Sequence, residues 1–232
     1  MSDEGVTASV RYGLNCMLFQ RLSCMLAGVI VTLGVLLSVA SADPHRIVGF
    51  GDSLMAGYQL DPGQSFPEKL ETALKARGHD VVIANAGVSG DTTSGGLSRL
   101  DWSVPDDTDL VILELGANDM LRGLAPEHTE KNLVAMIERL QARDIDIILA
   151  GMVAAPNLGA DYGERFNGIY PRLAERFGLP LYPFFLEGVA ADSSLLLEDG
   201  MHPSAAGVDR MVESFLPLIE KVLADKTTAP TE

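Results

Sequence analysis

Along the chain from residue 43 to residue 225, short apolar, β-branched runs alternate with longer stretches in which apolar side chains recur every three or four positions. The first kind reads as strands and the second as helices with one face against a core. Strands are expected at residues 46–50, 81–85, 109–115, 145–150 and 179–182, and helices starting near Ser65, Thr92, Pro126, Asp161 and Pro203. Five strand-then-helix repeats predict an α/β fold: one doubly wound, five-stranded parallel sheet with helices on both faces. Local chemistry agrees. Ser65-x-x-Glu68 is a capping box, Gly78 is a C-terminal stop, and Val208, Met211, Val212, Phe215, Ile219, Val222 and Leu223 form one stripe on the last helix. In such sheets ligands bind beyond the carboxyl ends of the strands, where strand order reverses. The loops that matter therefore span residues 51–63, 86–93, 116–126, 151–160 and 183–203.

The pattern differs before residue 43. Residues 22–42 carry no charge, residues 25–40 are almost wholly apolar, and Arg11 and Arg21 precede them. This is the layout of a secretory signal, with Ala40-Ser41-Ala42 as the small-x-small cleavage site. Cleavage after Ala42 leaves a single domain at 43–225 and a polar tail at 226–232. Such a product is periplasmic or secreted, with no stable insertion in a membrane, and is expected to be a monomer. The alternative is an uncleaved anchor, because 21 uncharged residues approach the roughly 20 that span a bilayer. The Gly, Ser and Ala content near the end of the segment favours cleavage, and a start at Met17 would also leave a workable signal.

Composition narrows the function classes. The 232 residues suit one domain and a terminal segment. A net charge of -15, unchanged by loss of residues 1–42, repels phosphate backbones and argues against nucleic acid as a partner. Cys16 and Cys24 both precede the folded part, which therefore holds neither a disulfide nor a cysteine metal site. Gly49-x-Gly51 follows a strand, yet Leu54 stands where a dinucleotide fingerprint needs its third glycine. The G-x-S-x-G elbow of the α/β hydrolases is absent.

What remains is a set of residues on the predicted crevice. Ser53, in Gly51-Asp52-Ser53-Leu54, would sit at the end of the first strand with its hydroxyl facing the opening. A serine nucleophile needs a base. His45, His79 and His128 fall at the new N-terminus, a turn and a helix start, whereas His202 lies in Asp199-Gly200-Met201-His202-Pro203. Three positions apart on a turn, Asp199 can hold one imidazole nitrogen while the other faces Ser53. Acyl transfer also needs donors for an oxyanion. The turn 85–91 offers the backbone N–H of Gly90, and Gly116-Ala117-Asn118-Asp119 offers the Asn118 amide. Turn preferences explain each segment taken alone.

Taken together, Phe50-Gly-Asp-Ser-Leu54, Gly90, Gly116-Ala-Asn-Asp119 and Asp199-Gly-Met-His202 resemble the four blocks of the GDSL, or SGNH, hydrolases. Order and spacing over the whole of 43–225 are most similar to the bacterial thioesterase I, lysophospholipase L1 and arylesterase branch. The resemblance implies a flavodoxin-like fold and a metal- and cofactor-free hydrolase of small acyl esters and thioesters. It implies Ser53 as nucleophile, Asp199 and His202 as its partners, and the N–H groups of Ser53 and Gly90 with the Asn118 amide as an oxyanion hole. The alternatives are a carbohydrate O-acetyl esterase and a non-catalytic small-anion binder using helix N-termini. Finally, Met120, Leu121, Leu124, Met152, Val153, Ala154, Ala155, Pro156 and Leu158 are unusually apolar for loops and predict a hydrophobic groove beside the site.

Overall fold

The structure is a computed structural model, and it describes residues 43–227; the expected signal segment and both cysteines lie outside the described residues. The element order is β1 (His45–Gly51), α1 (Ser53–Ala56), α2 (Phe66–Ala76), β2 (Val81–Gly87), α3 (Thr93–Ser103), β3 (Leu110–Glu114), α4 (Ala117–Leu121), α5 (Pro126–Gln141), β4 (Asp146–Ala150), α6 (Ala160–Asn167), α7 (Ile169–Phe177), β5 (Leu181–Tyr182) and α8 (Ala205–Thr227). The strands form one all-parallel sheet in the order β2-β1-β3-β4-β5. This is the α/β fold that the alternating pattern predicts.

Burial explains the strand sequences. Every residue of central β3 is buried, so it reads as an apolar run that ends on a single charged residue, Glu114. Edge strand β2 alternates over its first half, with Val81 and Ile83 inside and Val82 and Ala84 exposed. Helices α2 and α8 pack together on one side of the sheet, and α3 and α5 on the other. The Ser65–Glu68 capping box forms, with Ser65 Oγ 2.5 Å from Glu68 Oε2.

Three local readings need correction. The helix expected from Asp161 is two helices, α6 and α7, divided at Gly168. Pro171 has no N–H for the Asn167 carbonyl, so a continuous helix would lose a hydrogen bond and clash at that point. Strand β5 is only two residues long, and Pro180, which cannot donate to the ladder, precedes it. Helix α8 runs to Thr227 rather than ending before a tail at Lys226.

The topology places the crevice. From β1 the chain moves outward to β2 and then crosses back to place β3 on the other side of β1. Connections therefore leave β1 and β3 in opposite directions, and a gap opens above their carboxyl ends. Two single-turn helices, α1 and α4, fill the rims of that gap where loops were expected.

Candidate active site

Ser53 is the first residue of α1, two residues beyond the buried end of β1 at Gly51. The turn is held by Asp52, whose Oδ1 accepts the Leu54 N–H at 3.0 Å, and closed by Gly57 in the left-handed region. Gly51 has no alternative, because a Cβ there would collide with the Glu114 carboxyl. The result points a nearly buried serine hydroxyl into the gap.

His202 arrives from the loop before α8. Leu197 N–H donates to the His202 carbonyl at 2.8 Å, and Ser204 N–H donates to the Leu195 carbonyl at 2.8 Å. Within this clamp His202 Nε2 lies 2.8 Å from Ser53 Oγ and His202 Nδ1 lies 2.6 Å from Asp199 Oδ2. Asp199 Oδ1 accepts the N–H groups of Met201 at 2.9 Å and His202 at 3.0 Å. Those two backbone donors, then the imidazole, hold the Asp199 carboxyl down from 3.8 to about 2. An acceptor-only carboxylate fixes the proton on Nδ1, so Nε2 presents its lone pair to the serine. The ring of Tyr58 covers the imidazole at 4.4 Å between centroids.

The remaining predicted residues come to the same opening. Asn118 sits on α4, and its Nδ2 donates to Asp52 Oδ2 at 3.0 Å. Next to it, buried Asp119 accepts from the Thr93 N–H at 2.7 Å and from its hydroxyl at 2.6 Å, tying α4 to the start of α3. Gly90 has φ +85°, and Arg122 donates to its carbonyl at 2.7 Å. Ser53, Gly90, Asn118 and His202 all face one cleft of about 610 Å³. Such a layout can deprotonate a serine and offer donors to the oxyanion that develops when it adds to an acyl carbon.

The groove is also present. Met120, Leu121, Met152, Val153, Ala154, Ala155 and Pro156 line this cleft. Met120, Met152 and Ala154 are at the same time members of the core, so wall and core are continuous. Two expected members are not on the wall: Leu158 packs against the core, and Leu124 uses its carbonyl to accept from Tyr162 Oη at 2.9 Å. The opposite wall, Phe184, Leu186, Ala190, Leu196 and Met201, was not singled out from sequence. These residues lie in the aperiodic segment 183–203, which the sheet order places at the crevice, and within it their apolar character is the only further signal.

Three buried charged side chains under the site were missed as well. Arg99, stacked on Phe50 at 4.1 Å, donates to Asp91 Oδ2 at 2.6 Å and to the Gly51 and Ala86 carbonyls at 2.8 Å each, bracing the turn that carries Gly90. Asp52 is pushed up from 3.8 to about 6, chiefly by burial, against the Leu54 and Asn118 hydrogen bonds. Glu114, whose Oε2 accepts the Asp52 N–H at 3.2 Å, is raised well above 4.5 by complete burial and by the neighbouring Asp52 charge. Among the described residues, no three His, Cys, Asp or Glu side chains converge on a site that could hold a metal ion.

Residues 50–210 match the profile of the GDSL-like lipase/acylhydrolase family. The chain belongs to that family. It is 42% identical over 168 residues to the arylesterase of Vibrio mimicus, covering 72% of this chain and 84% of the relative. To the thioesterase 1/protease 1/lysophospholipase L1 of Escherichia coli it is 34% identical over 190 residues, covering 80% and 90%. Among solved structures, the SGNH-hydrolase family esterase AlinE4 is 50% identical with a TM-score of 0.67, covering 79% of this chain and 99% of that one. The protein is thus an SGNH hydrolase of the esterase and thioesterase group, and the five-stranded parallel sheet with its flanking helices is the fold of those hydrolases.

Proposed function

We propose that the protein is an exported serine hydrolase that cleaves acyl esters and thioesters through an acyl-enzyme intermediate. The observation that carries this reading is the hydrogen-bonded row Ser53 Oγ, His202 Nε2, His202 Nδ1, Asp199 Oδ2 at the mouth of an apolar cleft. Ser53 Oγ adds to the acyl carbon while its proton passes to His202 Nε2. The carbonyl oxygen becomes an oxyanion that accepts from the Ser53 and Gly90 N–H groups and the Asn118 amide. Asp199 keeps the imidazole in the working tautomer and stabilises the imidazolium. The alcohol or thiol leaves with the proton from Nε2. Water then gives a proton to His202 and adds to the acyl carbon, and Ser53 leaves as the alcohol.

Names of relatives support esters and thioesters as the substrate class, and the cleft walls support an acyl group longer than acetyl. An apolar pocket gains on the order of 1 kcal/mol per methylene, so kcat/KM for nitrophenyl esters should rise over several carbons to a medium-length optimum. A maximum at acetyl would favour a carbohydrate O-acetyl esterase instead. Export is supported by the apolar stretch at residues 25–40, and intact-mass measurement should find a mature chain beginning at or near Asp43.

A fluorophosphonate probe tests the central assignment. Labelling should map to Ser53, and Ser53→Ala should lose both labelling and turnover while keeping its fold. Labelling at another residue would overturn the mechanism.

A further inference from the structure

An asparagine amide has two unlike ends, a nitrogen that donates and an oxygen that repels an oxyanion. Which end Asn118 turns to the cleft depends on what grips it from behind. The grip is Asp52: Asn118 Nδ2 donates to Asp52 Oδ2 at 3.0 Å. An ionised carboxylate only accepts, so it fixes the amide nitrogen toward itself and leaves the second N–H of that nitrogen for the cleft, which Asn118 lines. Asp52 cannot easily turn away. Its Oδ1 accepts the Leu54 N–H at 3.0 Å, its own N–H donates to Glu114 Oε2 at 3.2 Å, and its side chain is fully buried.

We propose that Asp52 is a positioning residue, which orients the Asn118 amide so that nitrogen rather than oxygen meets the oxyanion formed at Ser53. This rests on the acyl-hydrolase reading above. A purely structural role is the rival, since Asp52 also caps α1. Asp52→Asn separates the two. The new amide keeps the volume and still offers an oxygen to the Leu54 N–H, so the cap survives. Its nitrogen then faces Asn118, two amide nitrogens cannot pair, and Asn118 must turn its oxygen to where its donor was.

The experiment is a double-mutant cycle of Asp52→Asn and Asn118→Ala, with nitrophenyl ester turnover normalised to sites labelled at end point by fluorophosphonate. Asp52→Asn should lower kcat roughly 10²-fold, as loss of an oxyanion donor does, with KM changed less than about threefold. In the Asn118→Ala background the same substitution should cost less than about threefold, because the residue it acts through is gone. An equal loss in both backgrounds, or a loss confined to KM, would overturn the proposal. Should Asp52→Asn not fold, Asp52→Ser keeps a good cap but is too short to reach Asn118, and it carries the same cycle. Failure of both variants to fold would also overturn the proposal, by making Asp52 a structural cap. Absence of wild-type turnover or of Ser53 labelling would instead overturn the acyl-hydrolase reading, and this proposal with it.

Discussion

Two carboxylates flank Ser53 from opposite sides, and the protein tunes them in opposite directions. Asp199 stands in a half-open loop, where the N–H groups of His202 and Met201 pull it from 3.8 down to about 2. Asp52 lies beneath Ser53, where burial pushes it from 3.8 up to about 6 although it also accepts two hydrogen bonds. Donor count alone therefore does not set the charge state; access to water decides which effect wins. On the open side two backbone donors in a tight turn, joined by the imidazole, keep the carboxylate ionised, which suits the role proposed for it beside His202. On the closed side a costly buried acid is retained, and the contact that explains its retention is the Asn118 amide. Departures from the rule against buried charge concentrate where a site needs them.

The largest test of this contrast is on the open side. Asp199→Asn should leave the loop in place, since an amide oxygen still accepts the Met201 and His202 N–H groups, but should lower kcat roughly 10³- to 10⁴-fold through loss of the imidazole tautomer and its counter-charge. Steady-state kinetics on a nitrophenyl ester give the answer. A loss under about tenfold would mean that water replaces the carboxylate and that Asp199 is only a turn residue.

The closed side is tested next through Asn118, the link between Asp52 and the cleft. Asn118→Ala should lower kcat roughly 10²- to 10³-fold with a smaller change in KM. If the change fell in KM alone, Asn118 would bind the ground state, and its grip by Asp52 would have no part in the chemistry.

The two sides also differ in how far they could be read from sequence. Asp199 and His202 are three positions apart, so their relation follows from one turn, and Ser53, Gly90 and Asn118 fall at strand ends that the apolar runs of β1, β2 and β3 already locate. The buried set is different. Asp52 meets Glu114 and Asn118 across 62 and 66 positions, and Arg99 reaches the Gly51 carbonyl across 48, contacts over the strand order of the sheet that no local pattern encodes. Glu114 left one trace, as the single charge in the run Leu110-Val-Ile-Leu-Glu-Leu115. Helices α1 and α4 were missed for a related reason. One turn is too short to show a period, and the residues that start them, Asp52 and Gly116, are held in place by groups distant in sequence, Glu114 and Tyr170.

The smallest effect is on stability, and its sign separates the two environments. A carboxyl raised on folding, as Glu114 is from 4.5 and Asp52 from 3.8, gives stability that is fully present below its unfolded value and is lost as pH rises through its folded value. Asp199 works the other way: its contribution is present above 3.8 and lost as pH falls through about 2. Glu114→Gln removes one raised carboxyl and keeps an oxygen to accept the Asp52 N–H. The new amide nitrogen is a pH-independent cost, because Glu114 Oε1 has no hydrogen-bond partner. The informative quantity is therefore the change with pH of Tm for the variant minus Tm for the wild type. One unit of raised pKa is worth about 1.4 kcal/mol, and each kcal/mol moves Tm by roughly 2–4 °C in a domain of this size. The difference should accordingly climb between pH 4 and pH 8 in thermal unfolding scans, by about 3–6 °C for each unit by which the carboxyl is raised. A flat difference would show that Glu114 titrates as it does in the unfolded chain, and the contrast would then rest on Asp52 alone.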